Sequence, residues 1–346
     1  MSLQEGFGSL SVSLYTPLIM EPVLYWGLDF IRAVQGASSP PLAAVMKAVT
    51  RTGSAPFFFA LLPLIFWCVD EKKGIRLGAA VMASIWLNIT LKFLFGQPRP
   101  FYEGYDPGLA LALENLNGFP SGHAQTSLVT WIIIASWIRK KWAWAAAVFV
   151  VLLVGFSRLY LGVHFPTDVA GGWLAGALVL AVYFLWGDAV EAALSRGGLR
   201  AALVVSAAAA FVMILYNPES AKEMNGGIEA ITAPGGAFLG MGAGYALTAH
   251  YTAFRSGLGG RAGAAKFIAA AGRIAIGSVG AALVFFIFQK INGVFGADLY
   301  RLGIFIRFAV LELWIYAAAP RLFGLCGIAG KHRFPGNAPS PEEPDE

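Results

Sequence analysis

The stretch "FPSGHAQTSLVTWIIIASWI" (119–138) sets a serine, a glycine and a histidine at the mouth of an apolar run that carries no Asp, Glu, Lys or Arg. It is closed by Arg139, Lys140 and Lys141 and approaches the roughly 20 residues that a helix needs to cross hydrocarbon. Comparable runs occupy 54–70, 77–96, 142–160, 168–187, 200–216, 227–250, 267–290 and 302–325. The 346-residue chain is 57% hydrophobic and only 13% charged, with a mean hydropathy of +0.65, where soluble domains carry about a quarter charged residues. The expected fold is all-α: a polytopic membrane bundle of about nine transmembrane helices.

Upstream of the first span, 21–36 and 40–52 are short, broken by Pro40-Pro41, and charged at Glu21, Asp29, Arg32, Lys47 and Arg51. That pattern predicts helices lying at the interface. The first 31 residues hold no Lys or Arg, so a cleaved signal peptide is not expected. Basic residues gather in alternate loops, at 71–76, 139–141, 195–200, 254–266 and 330–333, which marks those loops as cytoplasmic. The N-terminus is then outside, the C-terminus is cytoplasmic, and 97–122, 158–168, 217–226 and 291–301 face outward. The same spread of charge argues against a nucleic-acid partner despite the net +5. Cys68 and Cys326 fall near cytoplasmic ends, too few for a disulfide framework or a zinc site. The tail "PGNAPSPEEPDE" (335–346) reads as disordered.

The outward loops collect the unusual chemistry. Lys92 closes the second span, and "GQPRP" (96–100) ends its helix, so Arg99 is expected just beyond the membrane surface. A lysine there could equally snorkel to the headgroups. In "PSGH" (120–123), Ser121 is expected to cap the third span, whose first amides then face an anion. "SRLYLGVHFPTD" (157–168) supplies Arg158, His164 and Asp168, with Pro166 opening the fifth span. Taken singly, His164 could merely stack in its loop and Asp168 be a helix-start acid. Together, three cations, two histidines, an acid and a cap on one face point to phosphate chemistry.

Guanidinium donors and helix-start amides suit a dianionic phosphoryl group. Its transfer further needs a nucleophile and a proton for the leaving oxygen. Asp168 can fix the tautomer of His164 and stabilise the cation formed as it attacks, which makes His164 the nucleophile. His123 is left as the acid that protonates the leaving alkoxide and then activates water. Metal-assisted hydrolysis would need clustered carboxylates, whereas Glu103, Asp106 and Glu114 look scattered and solvated. No cofactor is expected.

These three segments, in order, resemble the three-part signature of the type-2 phosphatidic acid phosphatase superfamily, in particular its membrane-embedded bacterial lipid phosphate phosphatases. The resemblance covers about 40–187. It implies phosphate binding by Lys92, Arg99, Ser121, Gly122 and Arg158, and a phosphohistidine mechanism run by His164, His123 and Asp168. With the apolar runs and the charge pattern, the expected organisation is an extracytoplasmic segment with interfacial helices (1–53), a five-span phosphatase core (54–198), further spans of open role (199–327) and a cytoplasmic tail (328–346). Inside the further spans, Glu229, Arg307 and Glu312 either pair with neighbours or line a headgroup or transport pathway.

The implied function is metal-independent hydrolysis of a membrane lipid phosphate or diphosphate at the periplasmic face of a bacterial inner membrane. Phosphatidic acid, phosphatidylglycerol phosphate and undecaprenyl diphosphate fit equally. Two rivals stand beside it: a sugar-phosphate phosphatase resembling glucose-6-phosphatase, and a lipid transporter or scramblase that uses the phosphate site only to recognise headgroups.

Overall fold

A computed structural model describes residues 21–102, 105–112, 114–216, 218–224, 226–252, 254–258, 263–293 and 297–330. Glu103 and the tail 335–346 lie outside them. The described residues form helices, turns and loops, with no strand among them. The helices are α1 (Glu21–Gln35), α2 (Pro40–Arg51), α3 (Ala55–Leu64, continued by a π turn to Val69), α4 (Glu71–Phe95), α5 (Gly122–Ile138), α6 (Lys141–Tyr160) and α7 (Pro166–Leu215). A single turn α8 (Ser220–Glu223) precedes α9 (Gly227–Leu247), α10 (Gly263–Asn292), α11 (Ala297–Leu313) and α12 (Ala319–Leu325).

Each of the nine apolar runs is helical, but they are not nine separate helices of spanning length. Among the described residues, five helices are long and apolar enough to cross a membrane, or six if a bent pair counts as one span. The runs 168–187 and 200–216 share α7, broken only where Gly198 leaves helical geometry (φ 61°, ψ −152°). The bent pair is α2 with α3, which meet at 48° and by length and composition fit either a broken span or a re-entrant loop.

The chain forms two compact units interleaved in sequence. The first comprises the described residues of Met1–Phe59, Ala79–Ala189 and Val212–Pro234. Its α5 and α6 meet through Ala135, Ala143 and Ala147, small side chains that let helix backbones approach in lipid. Gly172 does the same for α7, since a Cβ there would stand 3.2 Å from Ala124 Cβ and 3.3 Å from Gln125 N. That approach seats the start of α7 against the start of α5. The α1 helix packs Leu24, Leu28 and Ile31 on Leu109 and Phe165, while Gln35 Nε2 donates to the carbonyls of Leu109 (2.9 Å) and Tyr160 (2.8 Å). Arg32 pairs with Asp106 and Asp29, so Asp106 is not merely solvated.

The second unit comprises the described residues of Ala60–Gly78, Val190–Phe211 and Gly235–Glu346. Gly236 and Gly240 of α9 lie against the backbone of Phe305 and Ala309 in α11, a small-residue seam spaced by four. Trp67 donates to Ile315 O at 2.8 Å. The buried Arg273 binds the carbonyls of Trp67, Ser256 and Ile328. Of the intramembrane charges, Arg307 lies over the rings of Phe285 (5.0 Å) and Phe308 (4.9 Å), and Glu312 is buried in α11.

Candidate active site

The site lies within the first unit and is built where three chain turns meet. Gly96 takes a left-handed φ of 60° and ends α4. The loop beyond it returns to clasp the helix end: Lys92 Nζ donates to Asn117 O at 2.5 Å and Gly118 O at 2.9 Å, and Asn117 Nδ2 donates to Lys92 O at 3.0 Å. Lys92 is therefore buried and does not snorkel.

Arg99 is buried too, with 1% of its surface exposed. Proline on either side of it breaks the helix, and the extended chain turns its guanidinium inward. Nε donates to Leu116 O (2.5 Å), and Nη1 faces both Val163 O (2.8 Å) and His164 Nε2 (3.2 Å).

The second turn is "PSGH". Asn88 Nδ2 donates to Pro120 O at 3.1 Å and to Gln125 Oε1 at 2.9 Å, and Ser121 N donates to Asp168 O at 2.8 Å. Ser121 precedes α5 but its side chain does not cap it. Its Oγ is buried without a partner, so the expected cap is replaced by an unused hydroxyl. Gly122 faces Asn88, leaving no room for a side chain. His123 follows in the first turn of α5, packed so closely on Gly53 that a Cβ there would stand 3.3 Å from His123 Cβ.

The third turn joins α6 to α7 through Gly162 (φ 68°). His164 Nδ1 stands 3.0 Å from Asp168 Oδ2, which also accepts from Phe165 N at 2.9 Å. Gln97 Nε2 donates to the other oxygen, Oδ1, at 2.6 Å. An arginine can only donate, so the Arg99 contact requires His164 Nε2 to be the acceptor. The ring proton is then on Nδ1, shared with Asp168. Burial, with the fields of Arg99, Lys92, Arg158 and His123, holds the His164 pKa well below the usual imidazole range.

Arg158 completes the site. Its Nη1 donates to Thr50 Oγ1 at 2.7 Å, Nη2 binds Glu114 Oε1, and Nε is buried without a partner. Glu114 Oε2 lies 3.8 Å from Arg99 Nη2, so Glu114 is not a solvated loop acid. Burial alone would raise its pKa, but Arg158 and Arg99 outweigh that and bring it down to about 2. Among the described residues, no three His, Cys, Asp or Glu side chains gather as a metal site requires.

All eight expected residues thus fall in one region, joined by Glu114, Gln97, Asn117 and Thr50, which sequence reasoning missed. Gln97 was within reach, because it lies inside the "GQPRP" stretch. Glu114 and Thr50 carry no comparable spacing signal.

Residues 73–191 match the PAP2 superfamily, and 232–331 match the PAP2 superfamily phosphatase, transmembrane extension. The second match covers much of the stretch whose role the sequence leaves open. The chain is similar to the undecaprenyl-diphosphatase of Sulfolobus acidocaldarius, at 28% identity over 176 residues, covering 49% of this chain and 83% of that one. It is 32% identical over 159 residues to phosphatidylglycerophosphatase B of Bacillus subtilis, covering 40% of this chain and 72% of that one. Among solved structures it is similar to a transmembrane PAP2 type phosphatidylglycerolphosphate phosphatase from Bacillus subtilis, with a TM-score of 0.43 at 28% identity, covering 49% of this chain and 87% of that one.

Proposed function

The chain belongs to the PAP2 superfamily, and from that premise we propose that it is an integral-membrane hydrolase releasing phosphate from a lipid mono- or diphosphate through a phosphohistidine on His164. The observation that carries this reading is the two-sided hold on His164. His164 Nδ1–H donates to Asp168, leaving an unprotonated Nε2 whose lone pair faces Arg99.

Arg99 Nη1, 3.2 Å from Nε2, stands where an incoming phosphoryl group is to sit and passes to a phosphate oxygen when one arrives. Arg158 Nε and Ser121 Oγ, both unused, are further donors for that group, with Lys92 adding charge behind them. The Nε2 lone pair then forms the N–P bond as the P–O bond to the leaving group breaks. His123 gives the departing oxygen its proton, an alkoxide from a monophosphate or a lipid phosphate from a diphosphate. In the second half, His123 takes a proton from water, the water oxygen attacks phosphorus, the N–P bond breaks, and neutral His164 returns with inorganic phosphate released. Charge neutralisation falls to Lys92, Arg99 and Arg158, so the hydrolysis is read as metal-independent.

The chemistry lies within 54–198, with Thr50 contributed from the N-terminal segment, and the spans of 199–327 supplement it. Nine crossings fit the lengths: at about 1.5 Å per residue α7 would be about 75 Å long, more than twice the roughly 30 Å of a bilayer core. Gly198, flanked by Arg196 and Arg200, marks a cytoplasmic turn between two crossings. The same rule puts the site on the periplasmic face of an inner membrane, at headgroup depth. The chains of a lipid substrate can stay in hydrocarbon there, gaining about 0.8 kcal/mol per buried CH₂.

Phosphate release by the purified protein in mixed micelles, with excess EDTA, tests this. Long-chain phosphatidic acid, phosphatidylglycerol phosphate and a polyprenyl diphosphate are expected to outpace glucose 6-phosphate by about tenfold or more, with rates falling on dilution by neutral detergent. Equal turnover of glucose 6-phosphate, indifferent to dilution, would promote the sugar-phosphate reading. Lipid movement between leaflets without phosphate release would promote the transporter.

A further inference from the structure

Glu114 places one carboxylate oxygen on each of two arginines, Oε1 on Arg158 Nη2 and Oε2 3.8 Å from Arg99 Nη2. Bridging two guanidiniums is how a bound phosphate would engage them. The three side chains differ in one respect that decides what can move. Arg99 and Arg158 have side chains only 2% exposed, whereas that of Glu114 is 28% exposed. The arginines also have other anchors: Leu116 O and Val163 O for Arg99, and Thr50 for Arg158. Glu114 is on a loop, and its carboxylate can regain water by leaving, while the arginines cannot leave with it.

We propose that Glu114 is a built-in phosphate surrogate: its carboxylate balances Arg158 and Arg99 while the site is empty, and is exchanged for the substrate's phosphoryl group when the lipid binds. This rests on the phosphatase reading above. A buried guanidinium stripped of its partner is costly, so the exchange keeps the two arginines supplied with an anion throughout the cycle. It also gives product phosphate a competitor, because the returning carboxylate helps to expel it. Glu114 acts through Arg158 and Arg99, as a positioning residue that sets affinity and release rather than the chemical step. Its pKa of about 2 keeps it an anion over the whole working pH range.

The test is orthovanadate binding by the full-length protein in detergent, measured by calorimetry, together with steady-state kinetics on long-chain phosphatidic acid. Glu114→Gln removes the competing charge and should tighten vanadate about tenfold or more. It should lower KM for the lipid and also lower kcat, because phosphate leaves more slowly. Glu114→Asp, which keeps the charge but withdraws it by one methylene, should fall between. A purely structural role would lower activity with vanadate affinity unchanged or weakened, and that result in either folded variant overturns the exchange. If wild-type protein neither releases phosphate nor binds vanadate, the phosphatase reading falls and takes the exchange with it. If the wild type does both and the variants bind vanadate no tighter, only the exchange falls.

Discussion

Gln97 and Asp168, 71 residues apart in sequence, meet at 2.6 Å through Nε2 and Oδ1, so both oxygens of the acid are engaged. His164 and the Phe165 amide hold the other. The orientation of the imidazole is thus set by a carboxylate that cannot itself turn. Asp168→Asn could present a donor to Nδ1 and favour the wrong tautomer; in a serine-protease triad the same change costs about 10⁴ in kcat, and a loss of about 10² to 10⁴ is expected here. Gln97→Leu removes one hydrogen bond, of about 1–1.5 kcal/mol, and should cost about tenfold. Equal kcat in wild type and Gln97→Leu would mean that Asp168 needs no second anchor.

The two histidines should separate by the step at which their loss stops turnover. His164→Ala is expected to abolish phosphate release, since among the described residues no other nucleophile is held between an acid and an arginine as its imidazole is. His123→Ala should still accept a phosphoryl group slowly and lose it slowly. Quenching of wild type and His123→Ala with ³²P-labelled substrate in alkaline detergent, where the N–P bond of phosphohistidine survives, followed by peptide mapping at alkaline pH, should find the label on His164. Label on any other residue would move the nucleophile.

Stability should carry a pH signature from Glu114. Its folded pKa of about 2 lies below the ordinary glutamate value of 4.5, so its contribution is whole above that value and is lost as pH falls toward 2. Glu114→Gln should therefore melt earlier than wild type near neutral pH. The deficit is about 1–2 kcal/mol, less than for a fully buried pair because the carboxylate is partly solvated. The gap should narrow below about pH 4.5. Melting curves in detergent from pH 3 to 8 measure it, and a gap that widened on acidification would reverse the sign.

Orientation follows from the charge pattern. With Cys68 and Cys326, the latter exposed, replaced by serine, Asn115→Cys should react with a membrane-impermeant thiol reagent in outer-permeabilised cells. Lys140→Cys should react only after lysis. The reverse labelling would put the site in the cytoplasm.

The helices and most of the site can be read in the sequence because each leaves a local trace. Apolar length marks the spans, and Lys92 with Arg99, "PSGH", and His164 with Asp168 sit at fixed spacings around helix ends. Burial is harder to foresee. Arg99 follows a proline outside any helix, and only the folded loop turns it inward onto Val163 and His164. Glu114 belongs to no pattern at all. It resembles Asp106 in sequence, yet one lies between two buried arginines and the other at a surface pair with Arg32. Ser121 has the extended backbone of an N-cap residue (φ −70°, ψ 113°), as the sequence suggests, yet its hydroxyl makes no capping bond.

The interleaving of the two units has a consequence for biosynthesis. Ile89 and Phe93, on either side of the turn that delivers Lys92, are covered by Ala221 and Ile231, and Tyr216 Oη donates to Thr90 O at 3.2 Å. A ribosome that has reached residue 198 has already made every residue of the site, but has not yet made the three that close over its lysine-bearing helix. Between them it must first thread 199–211, which belong to the other unit. The nascent enzyme is therefore chemically complete well before it is mechanically complete, and a chain released at 198 should insert into the membrane with Ile89 and Phe93 left uncovered beside Lys92.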